Sequence, residues 1–169
     1  MSGAMIEVKV DDKEVREMLS QLKERTGNLK PAMSIIGQIV RSSIIKNFEA
    51  EGRPQKWQPL SMATLYLRIG GASSKKKRGG TKVGAIRKLA SHKVLQDTAR
   101  LKNSINSNAF SDRVEIGTNV IYGAIHQFGG AAGRGKKVTI PARPFLMVQD
   151  EDWPTIKNAV SDYLTKGLK

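Results

Sequence analysis

The sequence predicts an α+β fold in which an antiparallel sheet of about four strands packs against two long N-terminal helices and a C-terminal helix. Near both ends of the chain, apolar residues recur every three or four positions, which is the period of an amphipathic helix. Between these regions, short segments alternate apolar with polar residues, which is the period of a half-buried strand. The chain has 169 residues, a length that suits a single domain, which we assign to residues 5–169.

The first predicted elements are a strand and a helix. Residues 1–4 match no pattern, so we interpret them as either a cloning remnant or an alternative start and leave them out of the fold. Ile and Val alternate with Glu and Lys over residues 6–10, which predicts a strand. Apolar residues then follow at helical spacing over residues 13–26, and residues 27–28 (Gly-Asn) end this helix.

The second helix is the most hydrophobic of the predicted helices, and we expect it to be the spine of the core. It begins near Pro31, which suits the first turn of a helix, and continues for about 18 residues until residues 51–52. Two prolines then make residues 53–59 irregular. A short helix capped by Ser61 follows, and it ends at the two glycines of residues 70–71.

Residues 72–93 form a segment whose composition differs from the rest of the chain. Lysines and arginines stand among glycines here, and no acidic residue occurs between Glu51 and Asp97. Low hydrophobicity combined with charge of one sign does not repay the entropy that is lost on ordering. We therefore expect a long, mobile, exposed basic loop, with a short helical turn near residues 86–89.

Helices and strands alternate after this loop. Residues 97–98 cap a short helix, and residues 106–110 and 113–118 form paired strands. Residues 121–128 form another helix, which the Gly-Gly pair at residues 129–130 ends. The remaining predicted elements are a second basic loop at residues 131–137, the start of a strand at residues 138–140, and a last helix that opens at residues 150–154.

Four segments between residues 45 and 150 carry motifs in a fixed order. They are FEAEGRP, WQPLS and TL within residues 48–65, LQDTARLKNSI at residues 95–105, IGTNVIYGAIHQFGG at residues 116–130, and IPARPFL at residues 140–146. Together they resemble the phage virion morphogenesis, or tail-completion, family of Mu-like tailed phages. The sequence departs from that family at Ala99, where the family usually has Gly, and in residues 73–93, which are longer and more basic.

The resemblance implies a structural virion assembly protein of a tailed bacteriophage or prophage, which completes the tail or makes it competent for head–tail joining. It implies partners among phage tail or neck proteins and a homo-oligomer, since similar head–tail joining proteins often work as rings. It also implies a location in the tail or neck of the virion, after assembly in the bacterial host cytoplasm. The family supplies no catalytic residues, and we expect neither an enzyme nor a cofactor.

Catalysis and metal binding find little support in the residues themselves. The chain has no cysteine and only two histidines, which excludes disulfides, thiol nucleophiles and cysteine-ligated metal sites. A serine-type triad would have to be drawn from Asp97, His126 and either Ser104 or Thr98, whose spacing matches no known signature. We expect His126 instead to pack beside the rings of Tyr122 and Phe128, with a hydrogen bond to the backbone.

The net charge is +14 and the isoelectric point is near 10.2, which indicates a polyanionic partner without identifying it. Nucleic acid, an acidic protein surface and anionic lipid would all be attracted to this charge. A basic protein that binds nucleic acid without sequence specificity is therefore the alternative function. No apolar run is long enough to span a bilayer, so we expect no membrane contact.

The candidate contact residues for a partner protein or for DNA are cations of the two basic loops and one further arginine. They are Lys75, Lys76, Lys77, Arg78, Lys82, Arg87, Lys88, Arg134, Lys136, Lys137 and Arg143. The alternatives for the first loop are a solvated segment, a DNA contact, or a contact with an acidic patch of a partner. Arg143 lies between two prolines, so it is either a solvated turn arginine or a fixed arginine that pairs with a carboxylate of a neighbouring subunit.

Overall fold

The computed structural model describes residues 13–75 and 80–166, and for residues 13–16, 18, 19 and 22 the description covers the backbone alone. The predicted strand at residues 6–10 and the interpretation of residues 1–4 lie outside these ranges. Lys76, Lys77 and Arg78 of the predicted contact residues lie outside them as well.

The described residues form an α+β fold, as the sequence predicts. Its helices are α1 (Lys13–Gly27), α2 (Lys30–Glu49), α3 (Met62–Arg68), α4 (Val83–Ala90), α5 (Arg100–Asn103), α6 (Gly123–Phe128) and α7 (Asp152–Thr165). Two short 3-10 helices occur at Gly71–Ser74 and Arg134–Lys136. The strands are β1 (Asn106–Ala109), β2 (Val114–Gly117), β3 (Gly130–Ala132) and β4 (Val138–Ile140).

Helix α2 is the spine of the core, which confirms the prediction from its apolar stripe. Val40, Ile44 and Phe48 are each no more than 5% exposed, and they lie at the helical spacing that places them on one face. The ring of Phe48 meets Trp57 edge to face, with centroids 5.5 Å apart, and it meets Phe145 at 5.3 Å. The two aromatic contacts connect α2 to the first and the fourth motif segments.

The first and last long helices are fastened together at their C-terminal ends. Nη1 of Arg25, in the last turn of α1, donates to the carbonyl oxygens of Tyr163 and Leu164 at 3.1 and 3.0 Å. The hydroxyl of Tyr163 donates in return to the carbonyl of Asn28 at 2.7 Å. A guanidinium at this place satisfies carbonyls that the end of α7 leaves without helical partners.

The prediction of one sheet of about four strands is wrong for the described residues, which form two separate two-stranded sheets. In the first, β1 pairs antiparallel with β2, and in the second β3 pairs antiparallel with β4. Helix α6 intervenes between the two pairs, so β3 and β4 form a hairpin of their own. The alternation of apolar and polar residues predicts strands, but it does not specify which strands become neighbours.

The β1–β2 hairpin packs against α2 at a position where α2 has no side chain. A Cβ on Gly37 would lie 3.1 Å from a methyl of Val114 and 3.2 Å from Ser107. Nε of Arg41, one turn further along α2, donates to the carbonyl of Ile105 at 2.9 Å, just before β1. These contacts fix the hairpin to the helix.

The segment at residues 72–93 contains more regular structure than the predicted loop. It includes most of the first 3-10 helix, an isolated bridge between Lys75 and Thr81, and the two turns of α4 where we expected only a short helical turn. Ser74 is 4% exposed and Ala85 is 7% exposed, so part of the segment packs against the domain. Ala85 is the buried residue of α4, whereas Val83, Ile86 and Leu89 on the same helix are 58%, 53% and 40% exposed. Mobility of the segment stays a prediction.

Candidate partner-binding site

Gln127 and the end of α6 hold two of the motif segments together. The side-chain oxygen of Gln127 accepts the backbone N–H groups of Phe145 and Leu146, both at 2.9 Å, and its Nε2 donates to the carbonyl of Leu146 at 3.1 Å. The backbone N–H of Arg143 donates to the carbonyl of His126 at 2.7 Å. The segment after β4 is therefore fixed along α6, although its prolines provide no strand pairing.

Arg143 is buried, so the interpretation as a solvated turn arginine is wrong. The residue is 5% exposed, its Nε donates to the carbonyl of Gln58 at 3.0 Å, and its Nη2 donates to the carbonyl of Pro59 at 3.3 Å. Within the described part of the chain it forms no ion pair. Burial lowers the pKa of Arg143, and the nearby guanidinium of Arg68 lowers it further.

His126 is a residue of α6, and it lines the same cavity region as Arg143, which follows β4. Its ring meets Tyr122 edge to face at 5.8 Å, which confirms half of the predicted packing, whereas Phe128 is 79% exposed. The buried Nδ1 finds no hydrogen-bond partner among the described residues, which corrects the expected bond to the backbone. Burial lowers the pKa of His126, and the charges of Arg143 and Arg68 lower it further. Both effects disfavour the charged form of the imidazole.

A cavity of about 810 Å³ opens beside these residues, between α3, α5, α6 and β4. Arg68, Arg100, Arg143 and His126 line it, and Asp97 is the acidic residue among the lining residues. The carboxylate of Asp97 lies 3.9 Å from Nε of Arg68, and it is half exposed. The other lining residues carry no charge, and most of them are apolar. The cavity therefore combines an apolar surface with an excess of positive charge.

Large exposed hydrophobic residues surround the mouth of this cavity. Met62, Tyr122 and Val138 line it and are 80%, 41% and 57% exposed. We call these three residues the apolar rim. Exposed apolar groups at this density are typical of a protein interaction surface.

The cavity brings Asp97, Thr98 and His126 to one place, but it does not build the triad that these residue types allow. A triad needs hydrogen bonds from nucleophile to base and from base to an orienting acid. Asp97 is directed to Arg68, and the charges that act on His126 are cationic. The hydroxyl of Ser104 lies outside the cavity lining and bonds to Thr118 and to the carbonyl of Leu101.

The predicted contact residues divide into two groups in the structure. Arg143 alone among the described ones lines the cavity. The others are exposed cations on the segment at residues 72–93 and on the connection between β3 and β4, namely Lys75, Lys82, Arg87, Lys88, Arg134, Lys136 and Lys137. Sequence reasoning missed Arg68 and Arg100, which carry no local signal beyond their charge. Across residues 13–75 and 80–166, no helix is both long enough and apolar enough to cross a membrane.

Comparisons with known proteins agree with the motif segments. The family model described as the phage virion morphogenesis family matches residues 10–165, which include the whole cavity. A protein of Haemophilus influenzae, the Mu-like prophage FluMu G protein 2, is 36% identical over 166 residues. The aligned region covers 98% of this chain and 100% of that relative. No solved structure matches the chain.

Proposed function

Because the chain belongs to the phage virion morphogenesis family, we propose that it completes the tail of a Mu-like phage or prophage particle and makes that tail competent to join the head. In this role it is a structural, non-enzymatic protein of the tail or neck. Its partners are tail or neck proteins and further copies of itself. Family membership supports the morphogenetic role, and the finer assignment to tail completion is our proposal.

The observation that carries this proposal is the apolar rim around a cationic cavity. An assembly protein needs a surface that is apolar enough to bind a partner and polar enough to select it. The rim supplies the first property, and the guanidiniums of Arg68, Arg100 and Arg143 supply the second. The pairing of Asp97 with Arg68 and the cationic surroundings of His126 support a binding role more than a catalytic one.

A second candidate function, non-specific binding of nucleic acid, is favoured by the net charge of +14. The exposed cations of residues 72–93 and 134–137 would contact phosphates without reading the sequence. Aromatic side chains are missing from both segments, so stacking on bases would add little affinity. In a tail-completion protein, such a contact would touch DNA that passes through the neck.

One complementation experiment tests both candidates. Particles are produced from a prophage that lacks this gene, and infectious titre and the fraction of tails joined to heads are measured with each variant supplied from a plasmid. Replacing two residues of the apolar rim, with Met62→Lys and Val138→Lys, should lower the titre by about tenfold or more, because charge disrupts an apolar contact. The matched control places the same change on exposed residues elsewhere, Ile35→Lys and Ile86→Lys.

A parallel variant replaces Lys75, Lys82, Arg87 and Lys88 by glutamine, with Lys23, Lys46, Lys157 and Lys166 changed in the same way as its control. Loss of titre in this variant alone would favour the nucleic-acid function. Normal joined particles in the absence of the gene would contradict tail completion itself.

A further inference from the structure

We propose that the cationic cavity is an interface between copies of this chain, in which it receives the acidic turn at residues 150–153, just before and at the start of α7, of a second copy. The inference goes beyond tail completion, because it assigns the two surfaces through which the chain binds itself. It rests on the charges in the cavity, on the apolar rim, and on the exposure of the acidic turn.

The cavity is arranged to receive a carboxylate. Arg143 is buried with only backbone carbonyls as hydrogen-bond partners, and within the described residues its charge meets no acid. Arg68 and Arg100 add two further guanidiniums, against which Asp97 provides one carboxylate, paired with Arg68. A carboxylate in this cavity would relieve the repulsion between the cations, and its planar group fits a guanidinium in a bidentate geometry.

The surroundings of these cations favour protein over nucleic acid as the occupant. Met62, Tyr122 and Val138 line the cavity and remain exposed in the single chain. A phosphate backbone would leave that apolar surface in contact with water. A carboxylate beside an apolar side chain would cover both parts of the site.

Residues 150–153 provide the matching surface. Asp150 is exposed, and it forms no ion pair among the described residues. It stands between Val148 and Trp153, which are 38% and 49% exposed. Asp112 and Glu115, by contrast, are exposed acids that already pair with Arg113 of their own copy. Trp153 is an apolar anchor of the kind that dominates protein interfaces.

The acidic turn is also held in a fixed shape before binding. The carboxylate of Asp152 accepts the backbone N–H of Gln149 at 2.8 Å, and Nε2 of Gln149 donates to the carbonyl of Arg53 at 3.1 Å. Glu151 pairs with Arg53. Because these bonds already order the turn, little further entropy is lost when Asp150 and Trp153 enter a cavity.

The two surfaces differ, so the resulting contact is head to tail. A pair of copies then presents an empty cavity on one copy and an unused acidic turn on the other. Such contacts continue until a ring closes or a filament forms. The contact also opposes the mutual repulsion of copies that each carry a net charge of +14.

The test measures self-association of the purified full chain by sedimentation velocity and light scattering at low salt, over a range of concentrations up to about 100 µM. Arg100→Glu and Asp150→Arg should each weaken association by about tenfold or more, and the two changes combined should restore it to within about threefold. Arg134→Glu and Asp162→Arg change equally exposed charges elsewhere and should leave association unchanged. Arg100 and Asp150 are both exposed, so their replacement does not disturb the buried core, and thermal melts verify that each variant folds.

A mixing experiment tests the head-to-tail geometry. The Arg100→Glu variant keeps its acidic turn, and a variant with Asp150→Asn and Trp153→Ala keeps its cavity. Mixed together they should form complexes of two chains and no larger species.

A wild-type chain that stays monomeric throughout, or single variants no weaker than the two controls, would overturn the proposal. So would an Arg100→Glu variant that loses binding of a thymidine oligonucleotide and keeps self-association, because the cavity would then bind phosphate. Virion components are absent from this assay. A monomeric chain that still restores joined particles therefore refutes self-binding alone and leaves tail completion in place.

Discussion

Ala99 adopts a backbone conformation that suits glycine. It precedes α5 with a φ of +55° and a ψ of +6°, which is the left-handed region. A residue with a Cβ is less stable there than glycine by about 1–2 kcal/mol. Ala99 therefore places backbone strain within the second motif segment, at the position where the motif resemblance implies glycine.

Replacing this residue should therefore stabilise the domain. We expect Ala99→Gly to raise the free energy of unfolding by about 0.5–1 kcal/mol, since the relief of strain exceeds the entropy that a glycine adds to the unfolded chain. Urea denaturation measures the difference. Ala159→Gly, the same change inside α7, should instead destabilise by about 1 kcal/mol. Equal losses in both variants would show that the strain at Ala99 is not significant.

His126 should make stability depend on pH. Its pKa in the unfolded chain has the ordinary value near 6.5, and folding lowers it, chiefly through burial. The unfolded chain therefore binds the proton more readily. The stability that neutral His126 contributes is fully present at pH values above the unfolded pKa. It is lost as the pH falls from the unfolded pKa toward the lower folded pKa.

The measurement is the free energy of unfolding at several pH values between about 7.5 and 5.5. For wild-type protein it should fall toward acid pH by at most about 1.4 kcal/mol per pH unit from this one group. His126→Gln should fall less steeply, because glutamine does not titrate. Parallel curves for the two proteins would exclude His126 as the cause.

At the scale of elements, Gly129 decides how α6 ends and where β3 begins. Its φ is +72°, and a Cβ there would lie 2.8 Å from the backbone nitrogen of Ala142 and 3.0 Å from the carbonyl oxygen of Ile140. The sequence alone identifies this residue as the end of a helix. The close approach of a second segment, which carries Arg143, becomes visible only in the structure.

Gly129→Ala should consequently destabilise the domain by about 1–3 kcal/mol, through both strain and steric overlap with backbone atoms that cannot rotate away. Gly84→Ala is the matched control. Gly84 lies in α4, where nothing stands within 4 Å of the added Cβ, and alanine there should stabilise by about 0.5–1 kcal/mol. Thermal denaturation of the two variants compares them, and a neutral Gly129→Ala would refute the role of this close approach.

Local patterns explain which elements could be predicted. The stripe of Val40, Ile44 and Phe48 predicts α2 and its buried face, because helical period and burial are both properties of one segment. The strands β1 and β2 are also predicted with their pairing, since a short turn leaves little choice of partner. β3 pairs with β4 and not with the first hairpin because α6 lies between the two hairpins. No local pattern of the sequence contains that information.

At the scale of the whole molecule, the cavity is assembled from four stretches of chain, residues 58–68, 95–101, 122–126 and 138–143. Three of its residues, Asp97, His126 and Arg143, stand out in the sequence because of their chemical type and motif context. Arg68 and Arg100 do not, since an arginine on a short helix is usually solvated. These charges come together because distant stretches of the chain pack against one another, and no pattern in the sequence predicts that packing.

The bond from Arg25 to the end of α7 has a consequence for how the protein is made. Its acceptors lie 138 and 139 residues further along the chain. Helix α1 leaves the ribosome early, but the carbonyls that fasten it are synthesised much later. The nascent chain therefore carries α1 undocked through most of translation, and closure of the domain waits for the last turns of α7.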